Sequence, residues 1–255
     1  MPIQATITLE RLVCFEESDQ QNTSHSEPYV WPWLGILDGG QFSSTPTVAT
    51  EFEARRNIKD EMRANESAQL PLDGNNRLVA QFDTPIRHLF LVVALLEADF
   101  DIPADAIRAG YQAYLDELNA QFRLKIGPLV TADTDEDRQA IVDVMKKAVR
   151  DKATEAIKDA LGVGDTILGI LGALDRDDFI AADFWHFDTI APTVFTLGFR
   201  GVSGDPKVRT NFMRPLGISI QEFPVNYFLD CRLDAPDPNA THGPLDGGTF
   251  QPVVG

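Results

Sequence analysis

Acidic side chains are concentrated at three places in the sequence where a predicted apolar strand begins or ends. The first cluster is residues 16–19, and Glu27 closes the same loop. The second is residues 97–101, directly after the apolar run 89–96, and the third is residues 175–178. Calcium takes about six to eight oxygen ligands, largely from carboxylates and carbonyls on loops. The three clusters are therefore candidate ligands for a single divalent cation.

Clusters this far apart in sequence can share an ion only if folding brings the strand ends together. Alternate residues of an extended segment face the same side, so Glu97 and Asp99 could face one ion. Strand-end loops of a β-sandwich gather at its two ends, which allows distant segments to converge. The alternative is a solvated acidic surface, as expected for a chain of formal charge −17. For Asp177 and Asp178, a simple turn from helix to strand is a further alternative.

The composition argues against several classes of function. Acidic residues outnumber basic ones by 39 to 22, which disfavours binding to nucleic acid and spontaneous binding to anionic membranes. The four histidines are scattered and lack the His-x-x-x-His spacing of a helical zinc site. The sequence also lacks a nucleophile elbow and a Gly-Lys-Ser/Thr phosphate-binding loop. We therefore expect a binding protein, not an enzyme.

Strand-like patterns dominate the first hundred residues. Residues 3–9 alternate between apolar and polar types, which predicts a half-buried strand. Residues 89–96 are apolar throughout and predict a strand buried on both faces. Pro32 cannot donate a ladder hydrogen bond, so its strand is expected at a sheet edge or at a bulge. Asp38-Gly39-Gly40 predicts a tight turn.

Helical spacing replaces the strand pattern over residues 101–176. A second helix is predicted from Thr134, a suitable cap, to Gly162, and a short third helix from Asp165. The first helix carries apolar residues three and four positions apart: Ile107, Tyr111, Tyr114, Leu118 and Phe122.

After residue 177 strand-like patterns return, with strands predicted at residues 195–199, 216–220 and 227–233. This order of strands, helices and strands predicts a mainly β fold with an α insertion, an α+β antiparallel β-sandwich. The sandwich is expected to be discontinuous, formed by residues 1–100 and 177–233. Residues 101–176 form the inserted helical subdomain of two to three helices. Residues 234–255 are rich in Pro and Gly and are expected to be an irregular tail.

Three short motifs resemble C2 domains, the calcium-dependent phospholipid-binding β-sandwiches. Glu27-Pro28-Tyr29-Val30 is similar to that family's Asp-Pro-Tyr-Val signature, and residues 95–99 are similar to its strand leading into an Asp-x-Asp pair. Residues 177–181 are similar to its Asp-Asp-Phe-Ile-Gly segment. The chain departs from the family in having Glu at two of the positions and a third loop that would contain all the helices. The resemblance implies first-loop ligands Asp19 and Glu27, and third-loop ligands Glu97, Asp99 and Asp178.

The expected function is a calcium-dependent binding module that contacts a phospholipid surface or a protein partner. The main alternative is a structural or assembly protein whose helices form an oligomeric or partner interface without metal. A metal-dependent hydrolase using the same carboxylates is disfavoured because no general base is evident.

Two further expectations concern the cysteines and the location of the protein. Cys14 and Cys231 are expected to be buried free thiols, with a single bridge between the terminal strands as the alternative. Charged Glu10 and Arg11 interrupt the apolar N-terminus, which argues against a signal peptide. A cytoplasmic protein, or one exported without a signal peptide, is expected. The longest apolar run is too short to cross a bilayer, so no transmembrane segment is expected.

Overall fold

Most of the described chain is antiparallel β-sheet. The computed structural model describes residues 3–16, 27–45, 56–70, 76–83, 87–97, 104–131, 134, 136–137, 140, 144, 147–148, 152, 178–187, 190–209 and 217–236. The described strands are β1 Ile3–Glu16, β2 Pro28–Asp38, β3 Gln41–Thr45, β4 Ser67–Gln69, β5 Arg77–Phe82, β6 Arg87–Glu97, β7 Asp178–Phe187, β8 Thr193–Arg209 and β9 Gly217–Asp234. The long helix α1 is Ala104–Thr131.

The strands form two sheets that pack face to face. In sheet I, β4 and β5 both pair with β1, which is followed by β9 and β8. Sheet II has the order β3-β2-β6-β7. Every strand pair is antiparallel. The prediction of a mainly β fold with two packed antiparallel sheets is thereby confirmed.

Strand β6 is buried on both of its faces, as its uninterrupted apolar sequence predicted. Leu89, Leu91, Val93 and Leu95 lie in the core between the two sheets. The residues between them, Phe90, Val92, Ala94 and Leu96, lie in a second core on the outer side of sheet II. Strand alternation therefore divides one apolar run between two cores.

Helix α1 covers the outer face of sheet II and confirms the first predicted helix. Its five predicted apolar residues are all buried in the second core. The ring centroids of Trp33 and Phe122 are 4.4 Å apart, and those of Trp31 and Tyr111 are 5.3 Å apart. The apolar stripe of α1 is thus packed against the protein's own sheet.

Hydrogen bonds fix the position of α1 along strand β2. The Tyr114 hydroxyl donates to the Trp31 carbonyl at 2.9 Å, and the Tyr111 hydroxyl to the Pro32 carbonyl at 3.3 Å. Trp33 Nε1 donates to Asn119 Oδ1 at 3.1 Å. Burial raises the pKa of both tyrosines, so their hydroxyls remain protonated donors. The tyrosine bonds reach the part of β2 that extends beyond its pairing with β3, as expected for a strand whose Pro32 needs an open edge.

The second predicted helix is described at only a few positions. The Asp137 backbone N–H donates to Thr134 Oγ1 at 3.1 Å, which confirms Thr134 as a helix cap. The described residues 136–137, 140, 144, 147–148 and 152 are helical. The third predicted helix and the tail beyond residue 236 lie outside the described residues. Within the described part of the chain, no helix is long and apolar enough to cross a membrane.

The C-terminal strand differs from its prediction. The sequence favours two strands, residues 216–220 and 227–233, whereas β9 is continuous. Pro224 lies beyond Asn226, the last residue of β9 that pairs with β1. Over that region β9 pairs only with β8 among the described strands. The edge of β9 that faces away from β8 needs no ladder hydrogen bonds there, so a proline, which lacks the backbone N–H, is tolerated.

Cys14 and Cys231 are buried free thiols on adjacent strands. The partner of Cys14 on β9 is Tyr227, four residues from Cys231. At about 3.3 Å per residue the two cysteines are roughly 13 Å apart along the strand direction, whereas a disulfide needs Cα atoms within about 7 Å. The expectation of buried free thiols is therefore confirmed.

Candidate divalent-cation site

Three of the predicted ligand positions lie at one end of sheet II. Strand β2 begins at Pro28, directly after Glu27. In the sheet register Pro28 pairs with Glu97, the last residue of β6, and Glu97 pairs with Asp178, the first residue of β7. Neighbouring strands are about 4.8 Å apart, so the outer two of these three strand ends are separated by about 10 Å. Segments separated by up to 151 positions in the sequence, from 27 to 178, are thus adjacent in the fold.

The Glu27 carboxylate is held by Asn57, a residue that belongs to none of the acidic clusters. Asn57 Nδ2 donates to Glu27 Oε2 at 2.8 Å and approaches Asp60 Oδ1 at 3.3 Å. The backbone N–H of Ile58 donates to the Pro28 carbonyl at 2.8 Å, which fixes this segment to the start of β2. Asn57 Oδ1 is buried and has no hydrogen-bond partner among the residues that the structure describes. Asn57 and Asp60 therefore add two oxygen-bearing side chains next to Glu27.

The segment containing Asn57 also connects the two sheets at this end. The Cys14 N–H donates to the Glu66 carbonyl at 2.9 Å, and the Asn65 N–H donates to the Cys14 carbonyl at 2.7 Å. Lys59 Nζ lies 2.5 Å from Glu66 Oε2, and this hydrogen bond holds the pKa of the exposed Glu66 carboxyl below its usual range. A lysine near the candidate ligands thus already has a carboxylate partner.

The full predicted ligand set is only partly described. Asp19 and Asp99 lie outside the described residues, and for Glu97 and Asp178 the strand register gives the backbone positions. In the described part of the chain, no three His, Cys, Asp or Glu side chains are grouped closely enough to hold a metal ion. The five-residue calcium site therefore stays a prediction.

Two histidines that are 98 positions apart in sequence are hydrogen-bonded in the fold. His88 Nδ1 and His186 Nε2 are 3.0 Å apart, and the His186 ring stacks on Phe90 with centroids 4.5 Å apart. His88 lies near the start of β6, at the opposite end of that strand from Glu97. The 5.2 Å separation of the imidazole centroids indicates rings pointing at each other almost head-on, as in an N–H···N hydrogen bond. No local sequence pattern could have revealed this contact.

A polar groove of about 360 Å³ lies on the outer face of sheet I. Its charged residues neutralise each other: Arg11 contacts Asp230 at 2.6 Å, and Arg232 contacts Glu10 at 3.0 Å. The groove therefore has no strong charge preference for a ligand. It is lined by Thr8, Glu10, Arg11, Gln69, Asn76, Asp230 and Arg232.

Comparison of the chain with protein-family models, with curated proteins and with solved structures gives no match. The resemblance of residues 27–30, 95–99 and 177–181 to C2 domains is therefore neither strengthened nor weakened by relatives.

Proposed function

We propose that this protein is a binding module controlled by a divalent cation, with calcium as the preferred ion. The proposal is supported by one observation above all, the register that aligns Pro28, Glu97 and Asp178 across three neighbouring strands. In this proposal Glu27, Glu97 and Asp178 are joined by Asp19 and Asp99 from the adjoining loops. Asn57 is a positioning residue, because its amide holds one oxygen of Glu27.

Repulsion between the clustered carboxylates is the physical reason for a bound cation at this end of sheet II. Carboxylates gathered at one end repel each other, and the chain already carries a formal charge of −17. A bound cation removes that repulsion and is itself the largest local charge. An end that repels anionic surfaces in the absence of the ion then attracts them in its presence. Phospholipid head groups or an anionic protein partner are the targets that this change favours.

Thermal unfolding of the full chain, with calcium and with chelator, tests whether the native protein binds calcium. For a Kd of about 10 µM, 1 mM calcium is 100-fold above Kd and stabilises the native state by about 2.7 kcal/mol. For a chain of this size that corresponds to a rise in Tm of roughly 5–10 °C. Glu97→Gln/Asp178→Asn is expected to lose the rise. The matched control Asp116→Asn/Glu117→Gln removes two carboxylates from α1 and is expected to keep it.

A second measurement tests the target. Vesicles of phosphatidylcholine alone, and of phosphatidylcholine with about 30% phosphatidylserine, are sedimented with the protein, with and without calcium. Binding that requires both calcium and phosphatidylserine is expected for a lipid target; binding to neither vesicle indicates a protein partner. An unchanged Tm at millimolar calcium, or a calcium response retained by the Glu97/Asp178 variant, contradicts the cation site itself.

A further inference from the structure

A bulge in β1 turns two consecutive charged residues to the outer face of sheet I. The register of β1 against β9 shifts between Leu9 and Arg11, so Glu10 is the inserted residue. Leu9 and Leu12 both lie in the core between the sheets, whereas Glu10 and Arg11 between them are not buried. A bulge redirects the side chains beside it and is frequent next to functional sites.

Strands β4 and β5 are interrupted beside this bulge. Strand β5 pairs with β1 as far as Thr8, and β4 pairs with β1 from Arg11 onward. Between them, the Asn76 carbonyl accepts from the Leu9 N–H at 2.8 Å, and Asn76 Nδ2 donates to the Leu9 carbonyl at 3.1 Å. Asn76 is 3% exposed, and its buried Oδ1 accepts no hydrogen bond from any residue that the structure describes. Because Asn76 lines the polar groove on this face, the groove lining contains an acceptor in need of a donor.

The charged residues of the groove are already paired with each other across the strands. Arg11 Nε and Nη2 both donate to Asp230 Oδ2, at 2.9 and 2.6 Å, and the Thr196 hydroxyl donates to Asp230 Oδ1 at 3.2 Å. Arg232 Nη1 contacts Glu10 Oε1 at 3.0 Å. The two arginines and two carboxylates of the described lining therefore sum to zero charge, in a chain of formal charge −17.

The paired groups still offer hydrogen bonds to a ligand. A guanidinium carries five N–H donors, and each carboxylate oxygen accepts more than one hydrogen bond. The Thr8 hydroxyl and the Gln69 amide add groups that both donate and accept. None of the lining residues that the structure describes has an aromatic ring. Recognition in this groove therefore depends on hydrogen bonds and not on stacking.

This arrangement favours a neutral ligand that is rich in hydroxyl groups. A hydroxyl both donates and accepts, so neighbouring hydroxyls match a surface on which donors and acceptors alternate. A charged ligand would have to displace one member of an ion pair and leave that member without its partner, which is costly. The groove volume of about 360 Å³ lies at the small end of the roughly 300–1,000 Å³ typical of ligand sites. A mono- or disaccharide has the required size and chemistry.

We propose that this groove binds a neutral saccharide unit. Ligand hydroxyls donate to Asn76 Oδ1 and to the two carboxylates, and they accept from the two arginines. The exposed groups of the groove are hydrated before the sugar binds, so the net gain per hydrogen bond is small and Kd is in the millimolar range. The groove belongs to sheet I and the candidate cation site to the end of sheet II, so saccharide binding does not require calcium.

A titration of the isotopically labelled full chain, followed by amide chemical shifts in the presence of chelator, tests the proposal. The neutral probes are glucose, galactose, maltose and cellobiose, each up to about 100 mM. At least one of them is expected to shift the amide signals of groove residues in a saturable way. Cationic glucosamine and anionic glucuronate are expected to bind at least threefold more weakly than the tightest neutral probe. If none of the neutral probes binds, or if the shifts lie away from the groove, the proposal is wrong.

Two exposed glutamines on the same face of sheet I provide a matched pair of variants. Gln69 lines the groove, whereas Gln81 pairs with Gln4, four residues along β1 from Thr8 and roughly 13 Å away at about 3.3 Å per residue. Gln69→Ala is expected to raise Kd at least threefold, and Gln81→Ala to leave it within about twofold. Equal effects of the two substitutions overturn the proposal. Thermal unfolding of both variants checks that the sandwich remains folded.

A third variant tests whether the paired charges select a neutral ligand. Arg232→Met removes the cation beside Glu10 and gives the groove a net negative charge. Glucosamine is therefore expected to bind at least threefold more tightly to this variant than to the wild type, while the neutral probe binds more weakly. An unchanged glucosamine affinity contradicts the role of the ion pairs in selecting a neutral ligand.

Discussion

Replacing Gly35 with alanine probes how tightly α1 and sheet II are packed. A Cβ atom at Gly35 would lie 2.4 Å from Cη2 and 2.7 Å from Cζ3 of Trp33. Carbon atoms in contact are normally about 3.5–4.0 Å apart, so the indole would have to move by more than about 1 Å. Trp33 is fully buried, packs on Phe122 and donates to Asn119. The ring therefore cannot move without disturbing its packing and its hydrogen bond.

The expected cost follows from that crowding. Overpacking a well-packed core costs about 1–3 kcal/mol, and loss of the Trp33 hydrogen bond adds about 1 kcal/mol. We expect Gly35→Ala to lower the free energy of unfolding by about 3 kcal/mol. With an m-value of about 3 kcal/mol/M, the urea midpoint falls by about 1 M. Urea unfolding followed by far-UV circular dichroism measures this change.

A control and a double-mutant cycle make the test specific. A Cβ at Gly127, on the exposed side of α1, would meet nothing within 4 Å apart from its chain neighbours. The helix propensity gained by alanine is offset by the restriction on a residue that precedes Pro128, so Gly127→Ala is expected to change the free energy of unfolding by less than about 1 kcal/mol. Trp33→Leu removes the atoms that collide, so Gly35→Ala is expected to cost under about 1 kcal/mol in that background. A Gly35→Ala cost below about 0.5 kcal/mol, or an equal cost in both backgrounds, would refute the packing argument.

Three further outcomes are expected. Tyr114→Phe removes a buried hydrogen bond and lowers the free energy of unfolding by about 1 kcal/mol in urea titrations. Burial raises the pKa of the Cys231 thiol, and nearby carboxylates raise it further. Cys231 is therefore expected to react with a thiol reagent at pH 8 only after unfolding, and fast labelling of the native protein would contradict this. Lys59 lowers the pKa of the Glu66 carboxyl. The contact therefore stabilises the folded protein at pH values above 4.5, the usual pKa, and this stabilisation is lost as the pH falls through the lowered pKa. Carboxyl NMR should show the Glu66 pKa returning toward 4.5 in Lys59→Met.

Several elements could be predicted from sequence because the forces that specify them are local. The alternation in residues 3–9 and the unbroken apolar run 89–96 each determine which faces of a strand are buried. The stripe in α1 repeats at the helical period and has one possible buried side. The turn after Asp38 requires two positive φ values, 57° at Gly39 and 87° at Gly40, and glycine adopts them without strain.

Other features depend on which strands become neighbours. Apolar periodicity shows that a strand has a buried face, but it does not specify the partner or the register. The contact between Asn57 and Glu27 and the pairing of His88 with His186 arise from segments that share no local pattern. The continuity of β9 through Pro224 likewise depends on where β1 ends, which β9's own residues do not encode.

The sequence by itself determined the residue types available for function: carboxylates at strand ends, an aromatic helix stripe and an acidic chain of charge −17. Tertiary structure alone decided that the strand ends at Glu27, Glu97 and Asp178 are neighbours at one end of sheet II, and that β9 continues past its pairing with β1. Residue type is a property of single positions, whereas strand pairing depends on how all the core residues pack together. Long-range register therefore turned scattered acidic residues into a candidate site.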